Sequence, residues 1–262
     1  GQSGPLAQAA GHDINYIAIT GALHAMGEAD RPPFPPLNLV GDFGGGGLLL
    51  AFGMVCALLS AQRTGVGQVV DAAMVDGAAS LMGMIYGVYA KGAWSNQRGS
   101  NALAGAAPFY GCYECADGKY VAFGSIEPQF YAILRDKLGL SAAAFGDQHA
   151  PAQWPALKIQ IGAIIKTRTR DEWSAVFEGT DVCFGPVLDL AEAPLHPHNV
   201  ARGTFINVGG EIQPAPAPRF SGTPTATPRP GLPACGDTEA VLLGAGYTQA
   251  EYIALKSAGV VG

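Results

Sequence analysis

Gly11-His12-Asp13-Ile14-Asn15-Tyr16 and Gly41-Asp42-Phe43-Gly44 are the stretches on which the reading of this chain turns. In each, a glycine precedes a titratable residue that opens an apolar run. The sequence therefore predicts one helix beginning at a histidine and another beginning at a carboxylate. Two such groups are suited to taking a proton from carbon and returning one from the opposite side. Ile14, Ile17, Ala18, Leu23, Ala25 and Met26 predict a mostly buried first helix, stopped by Gly27. The second is expected to run from Gly41-Asp42 to about Gln62, with Asp42 near its first turn.

Working outward, Arg31 to Asn38 is proline-rich and reads as an extended arm. Thr64 to Gly67 is a turn, Gln68 to Ala72 a short buried strand, and Met74 to Ala90 a helix interrupted by small residues, so residues 1–91 read as strand and helix in alternation. Residues 92–104 form an irregular linker. Tyr110 to Cys115 and Lys119 to Phe123 flank Asp117-Gly118, a hairpin signal, and Pro128 starts a helix to about Leu138. Further helices are expected near Pro155 to Lys166 and Arg170 to Gly179. Residues 105–195 thus form a small α+β domain. Residues 196–262 form a linker and C-terminal return, with a short strand at Gly203 to Val208 and helices at Asp237 to Gly244 and Thr248 to Ser257.

Composition narrows the function. The 262 residues are 48% hydrophobic but only 14% charged, which points to extensive burial between domains or subunits. A net charge of -6 with scattered Lys and Arg excludes a nucleic-acid footprint and favours a small-molecule substrate. Five dispersed cysteines suit a reducing, cytoplasmic setting. No signal-peptide pattern opens the chain. Phe43 to Ala61 has no charge and is long enough to raise a membrane span, but its glycines and short helical stretch make a buried core helix the expectation.

Several residues have two readings. His12 at a helix start has unpaired first-turn N–H groups beside it, suited to an oxyanion, and the helix dipole favours its neutral, basic form; it equally suits packing or capping. Asp42 is a preferred helix-capping residue, yet Gly41 and Gly44 to Gly47 would let a ligand approach the backbone. Glu127 is either a functional acid or a first-turn acid that suits the dipole of its helix. Neither a dinucleotide glycine motif nor a phosphate-loop lysine is present, and Asp42-Phe43-Gly44 has no accompanying kinase motifs. Cys112-x-x-Cys115 lacks the second ligand pair a zinc site needs. His196-Pro197-His198, His24 and His149 stand without supporting partners, so no metal site is expected.

Taken together, Gly1 to Pro5, Gly11 to Tyr16, Pro36 to Gly46, Val70 to Gly77, Ala107 to Tyr110 and Glu127 to Phe130 resemble the alpha-methylacyl-CoA racemases of the family III CoA-transferase superfamily. The resemblance implies an α/β fold: a Rossmann-like large domain, whose N-terminal portion lies outside this chain, plus the small domain, with two chains interlocked as a homodimer. It implies His12 and Asp42 as the acid/base pair, with Glu127 from the partner's small domain beside His12. Asp13, through its backbone N–H, would contact the thioester oxygen, and Tyr16, Asn38 and Gly41 would line the pocket. The substrate would be an acyl-CoA thioester, with no metal or organic cofactor. Ala104 and Ala106 depart from the family pattern, and the terminal Val260-Val261-Gly262 is no peroxisomal signal.

Two rivals remain. In a family III CoA-transferase, Asp42 would be the nucleophile that forms an anhydride. The other is a chain that dimerises without catalysis.

Overall fold

In a computed structural model describing residues 1–262, the first helix is shorter than its apolar pattern. Helix α1 (Asp13–Ala18) and helix α2 (Ala22–Ala25) are separated by Gly21, whose φ is 77°. This left-handed turn is accessible to glycine at little strain and breaks the expected single helix in two. Ile17 and Ala22 are buried, whereas Ile14 and Ile19 are exposed. The proline-rich arm contains no helix from 31 to 36, as expected.

The Asp42 helix begins at Leu39, and its first part, Leu39–Leu48, is a π-helix; Phe43 N–H donates to the Asn38 carbonyl at 3.2 Å. Most π-helical segments are single turns. Here a run of glycines lets another helix cross at backbone distance. Helix α4 (Met74–Leu81) passes so close that a Cβ on Gly77 would fall on the Gly45 carbonyl, and one on Gly45 would lie 2.6 Å from the Ala78 nitrogen. Ile17, Ala22 and Ala78 form the small core beneath this crossing.

The helix continues as α3 (Leu49–Thr64), ended by Gly65 at φ 74°. The expected burial of α3 is not found, because within this chain the helix has few neighbours: Phe52, Val55 and Leu59 are all exposed. From Leu39 to Thr64 the chain forms one continuous helical stretch of 26 residues, long and apolar enough by those measures to cross a membrane. Residues 68–72 form no strand, and Val69 is 92% exposed. A strand needs a neighbour for its N–H and C=O groups, and none of the five strands lies beside this segment. The alternation of strand and helix expected in residues 1–91 is therefore absent. After α4 the chain forms α5 (Gly83–Ala90) and then an irregular stretch.

The hairpin is present as expected. Strand β1 (Tyr110–Glu114) pairs antiparallel with β2 (Tyr120–Gly124) around Gly118 at φ 74°. A third strand, β3 (Phe184–Val187), adds to the free edge of β2. Against this sheet lie α6 (Pro128–Leu138), α7 (Ala142–Phe145), α8 (Trp154–Ile165) and α9 (Arg170–Phe177). Phe109 is a hub of their core, meeting Tyr131 and Trp154 edge-on at 5.6 and 5.9 Å between ring centres. Such T-shaped pairs add about 1 kcal/mol each beyond their burial. Burial pushes the Tyr113 phenol far above its ordinary range, and its O–H donates to the Pro108 carbonyl at 2.5 Å. Burial also lowers the pKa of Lys158, whose ammonium donates to the Gly105 carbonyl.

Residues Gly1–Val187 form one compact unit and Leu188–Gly262 another. The second contains α10 (Pro197–Arg202), a hairpin of β4 (Phe205–Val208) and β5 (Glu211–Pro214), α11 (Thr238–Gly244) and α12 (Gln249–Ser257). Thr248 and Glu251 cap α12 reciprocally, which holds the Glu251 carboxyl below its usual range through the Thr248 N–H and hydroxyl.

Candidate active site

His12 occupies the N-cap of α1 in extended backbone geometry, and its own N–H donates to Asn15 Oδ1 at 3.1 Å. Of the first-turn N–H groups, that of Asn15 donates to the His12 carbonyl at 2.9 Å, while those of Asp13 and Ile14 precede any i→i−4 bond. The imidazole is exposed, as a proton-transfer group must be to reach a substrate. Tyr16, one turn along, folds back so that its O–H donates to the Gly11 carbonyl at 3.1 Å. Its ring lies against Gly11, fixing the backbone that leads into His12.

Asp13 is the link to the second element. The residue is 8% exposed, and Oδ2 accepts the backbone N–H of Asp42 at 2.7 Å. Gly41 sits directly against this carboxylate, and a Cβ there would force the Asp13 side chain to shift. A glycine before Asp42 therefore leaves the carboxylate its place. Asp42 is in the first turn of the π-helix and partly buried, and its Oδ2 accepts from Asn38 Nδ2 at 3.3 Å. Capping is not its role, because the N-cap of this helix is Asn38.

The other glycines of the run have a structural purpose that differs from ligand approach. Gly44 faces the Leu39 carbonyl and Leu81, Gly45 the backbone of α4, Gly46 the Met74 side chain, and Gly47 the Asp42 carbonyl. They close the π-helix on the protein itself.

His12, Asp13, Tyr16, Asn38, Gly41 and Asp42 thus fall into one neighbourhood joined by Asp13. Glu127 does not join it through any hydrogen bond or ion pair. It is the exposed N-cap of α6, followed by Pro128 at the first helical position. Its carboxylate helps raise the pKa of Cys183, behind the larger effect of burial. Cys115 is buried in the core while Cys112 is exposed, and both are free thiols. His24 Nε2 lies 3.0 Å from the Asn96 carbonyl, and His149 stands edge-on to Phe109 at 6.3 Å.

Two features escaped the sequence reading. One is the Asp13 carboxylate, for which Gly41 was the available signal. The other is a cavity of about 360 Å³ lined by Gly21, His24, Tyr86, Tyr89, Trp94 and Arg98 among others, which His12 and Asp42 do not line. Its residues come from three separated segments, and no local pattern announces it.

Comparison with known proteins supplies the family. Residues 1–239 match the pattern of CoA-transferase family III. Alpha-methylacyl-CoA racemase of Mus musculus is 43% identical over 263 aligned residues, covering 100% of this chain and 69% of that protein. Alpha-methylacyl-CoA racemase of Homo sapiens is 41% identical, covering 98% of this chain and 68% of that protein. A crystal structure of a CaiB/BaiF family protein from Brucella suis superposes with a TM-score of 0.72 at 24% identity, covering 93% of this chain. The chain spans 65% of the length of that structure, and the superposition supports the mixed α/β fold. With the His12 and Asp42 elements in one neighbourhood and the family pattern running from residue 1 to 239, this chain belongs to CoA-transferase family III.

Proposed function

We propose that the protein is an isomerase that epimerises 2-methyl-branched acyl-CoA thioesters by 1,1-proton transfer. The observation that carries this reading furthest is the 2.7 Å bond from Asp42 N–H to the Asp13 carboxylate, which ties the His12 helix to the Asp42 turn. The similarity to the mouse and human racemases supports it.

One group of the pair removes the α-proton, and the C–H electrons move into an enolate whose negative charge lies on the former thioester oxygen. The backbone N–H of Asp13 would stabilise that oxygen. The other group then protonates the opposite face and the thioester carbonyl re-forms. His12 and Asp42 exchange roles with the handedness of the substrate. Tyr16, Asn38 and Gly41 shape the pocket. Acid, base and oxyanion contact suffice for this sequence, so the reading includes no metal or organic cofactor; CoA is part of the substrate. Its setting is cytoplasmic.

The reading also includes a Rossmann-like large domain and an interlocked homodimer, with Glu127 of one chain set beside His12 of the other. The exposed stripe of Leu48, at the end of the π-helix, and Phe52, Val55 and Leu59 on α3 supports such a partner, since helical spacing places them on a common face. Val55→Glu is expected to shift the protein from twice the chain mass to the chain mass in light scattering. A dimer that persists would remove α3 from the interface.

The second reading, a family III CoA-transferase with Asp42 as nucleophile, is favoured by the partly buried Asp42 carboxylate beside the Asn38 amide. Chiral analysis after incubation with one 2-methylacyl-CoA epimer and succinate separates the two. The racemase reading predicts both epimers and no succinyl-CoA; succinyl-CoA without epimerisation would establish the transferase.

A further inference from the structure

We infer that the Asp13 carboxylate is a positioning residue for the proton-transfer pair, a role apart from the backbone contact assigned to Asp13 above. The inference rests on the racemase reading. His12 and Asp42 belong to separate elements, and inversion requires them to flank one carbon. A fixed separation between those elements is therefore part of the chemistry.

The geometry supplies one direct polar connection. Asp13 follows His12 without an intervening residue, and its Oδ2 holds the Asp42 N–H at 2.7 Å. Gly41 has no side chain to keep the two apart. The chain accepts a penalty for this arrangement. The carboxylate is more than nine-tenths buried, and Oδ1 has no hydrogen-bond partner. Burying a charged group with so few partners is unfavourable unless specific contacts offset it. Two contacts do so here: the charge-assisted bond to Asp42 N–H, and the positive end of α1, in whose first turn Asp13 lies. A neutral apolar residue would pack at this position without that penalty, but it would leave the Asp42 turn without its tie to α1.

The test compares Asp13→Ala with Asp13→Asn. Asparagine keeps an acceptor of the same shape for Asp42 N–H, whereas alanine removes it. With a single 2-methylacyl-CoA epimer in D₂O, Asp13→Ala is expected to lose about 100-fold in kcat for inversion with little change in KM. Asp13→Asn should recover most of that loss. In Asp13→Ala, α-deuteration with retained configuration should rise relative to inversion, because one group still removes and returns a proton on its own face while the opposite group is displaced. Simple loss of folded protein lowers both events together and leaves their ratio unchanged.

Backbone amide exchange at Asp42 supplies a readout independent of turnover. It should be at least about tenfold faster in Asp13→Ala than in the wild type or Asp13→Asn, as the release of a closed hydrogen bond allows. An unchanged inversion-to-retention ratio together with unchanged Asp42 amide exchange in Asp13→Ala would overturn the inference. Should the wild type exchange no α-proton, the racemase reading fails, and the amide measurement decides whether Asp13 holds Asp42.

Discussion

Asp42→Ala and His12→Ala are each expected to lower kcat for epimerisation by about 10³-fold, the scale of a lost general acid or base. The structure makes these clean substitutions. Asp42 receives its tie to α1 through its backbone N–H, which alanine retains. His12 keeps the bond from its backbone N–H to Asn15 Oδ1 when its ring is removed, and loses only the side-chain half of the capping box. Far-ultraviolet circular dichroism should therefore match the wild type while steady-state turnover collapses. Turnover within tenfold of wild type in either variant would remove that residue from the proton-transfer pair.

Gly77→Val is expected to damage the fold itself. In an exposed helix, replacing glycine usually helps, by up to about 1 kcal/mol for alanine. At Gly77 the sign reverses because any Cβ would fall on the Gly45 carbonyl. The obstacle is backbone on both sides and has no flexible end to swing away. Separation of α4 from the π-helix would follow, at a cost of about 3 kcal/mol or more, the upper range of overpacking. Urea unfolding checks this: the midpoint should fall with little change in slope. An unchanged midpoint would mean that the crossing is looser than described. Because the same crossing supports the Asp42 turn, activity should fall with it.

The contrast between Gly77 and Gly118 shows what the sequence made legible. Asp117-Gly118 lies between its two strands, so a local pattern was enough to identify the hairpin and its turn. Pro128 likewise marked the start of α6. Gln68 to Ala72 had the composition of a strand, but pairing is a property of two segments, and no strand of this chain adjoins it. The same limit applies to α3: its apolar residues predicted burial without identifying a partner.

At the candidate site, the residue types at 12 and 42 were legible because each follows glycine at the head of an apolar run, although the helix carrying Asp42 begins earlier, at Leu39. The glycine run was harder to interpret. A glycine signals close approach but not what approaches. At Gly45 the neighbour is α4, and at Gly41 it is the Asp13 carboxylate. The family resemblance implies a role for the Asp13 backbone alone, since the partner of its side chain is distant in sequence. Gly21 is itself a local signal, and its left-handed turn divides the first helix. Glu127 was identified as a helix-start acid, and it is the N-cap of α6; its proposed function depends on a second chain.

The racemase reading requires this protein to move a proton from one face of an α-carbon to the other. Proton NMR of one 2-methylacyl-CoA epimer incubated with the protein in D₂O tests it most directly. Loss of the α-proton signal is expected, together with appearance of the opposite epimer bearing deuterium at that carbon. An α-proton that persists in the presence of folded protein would contradict it.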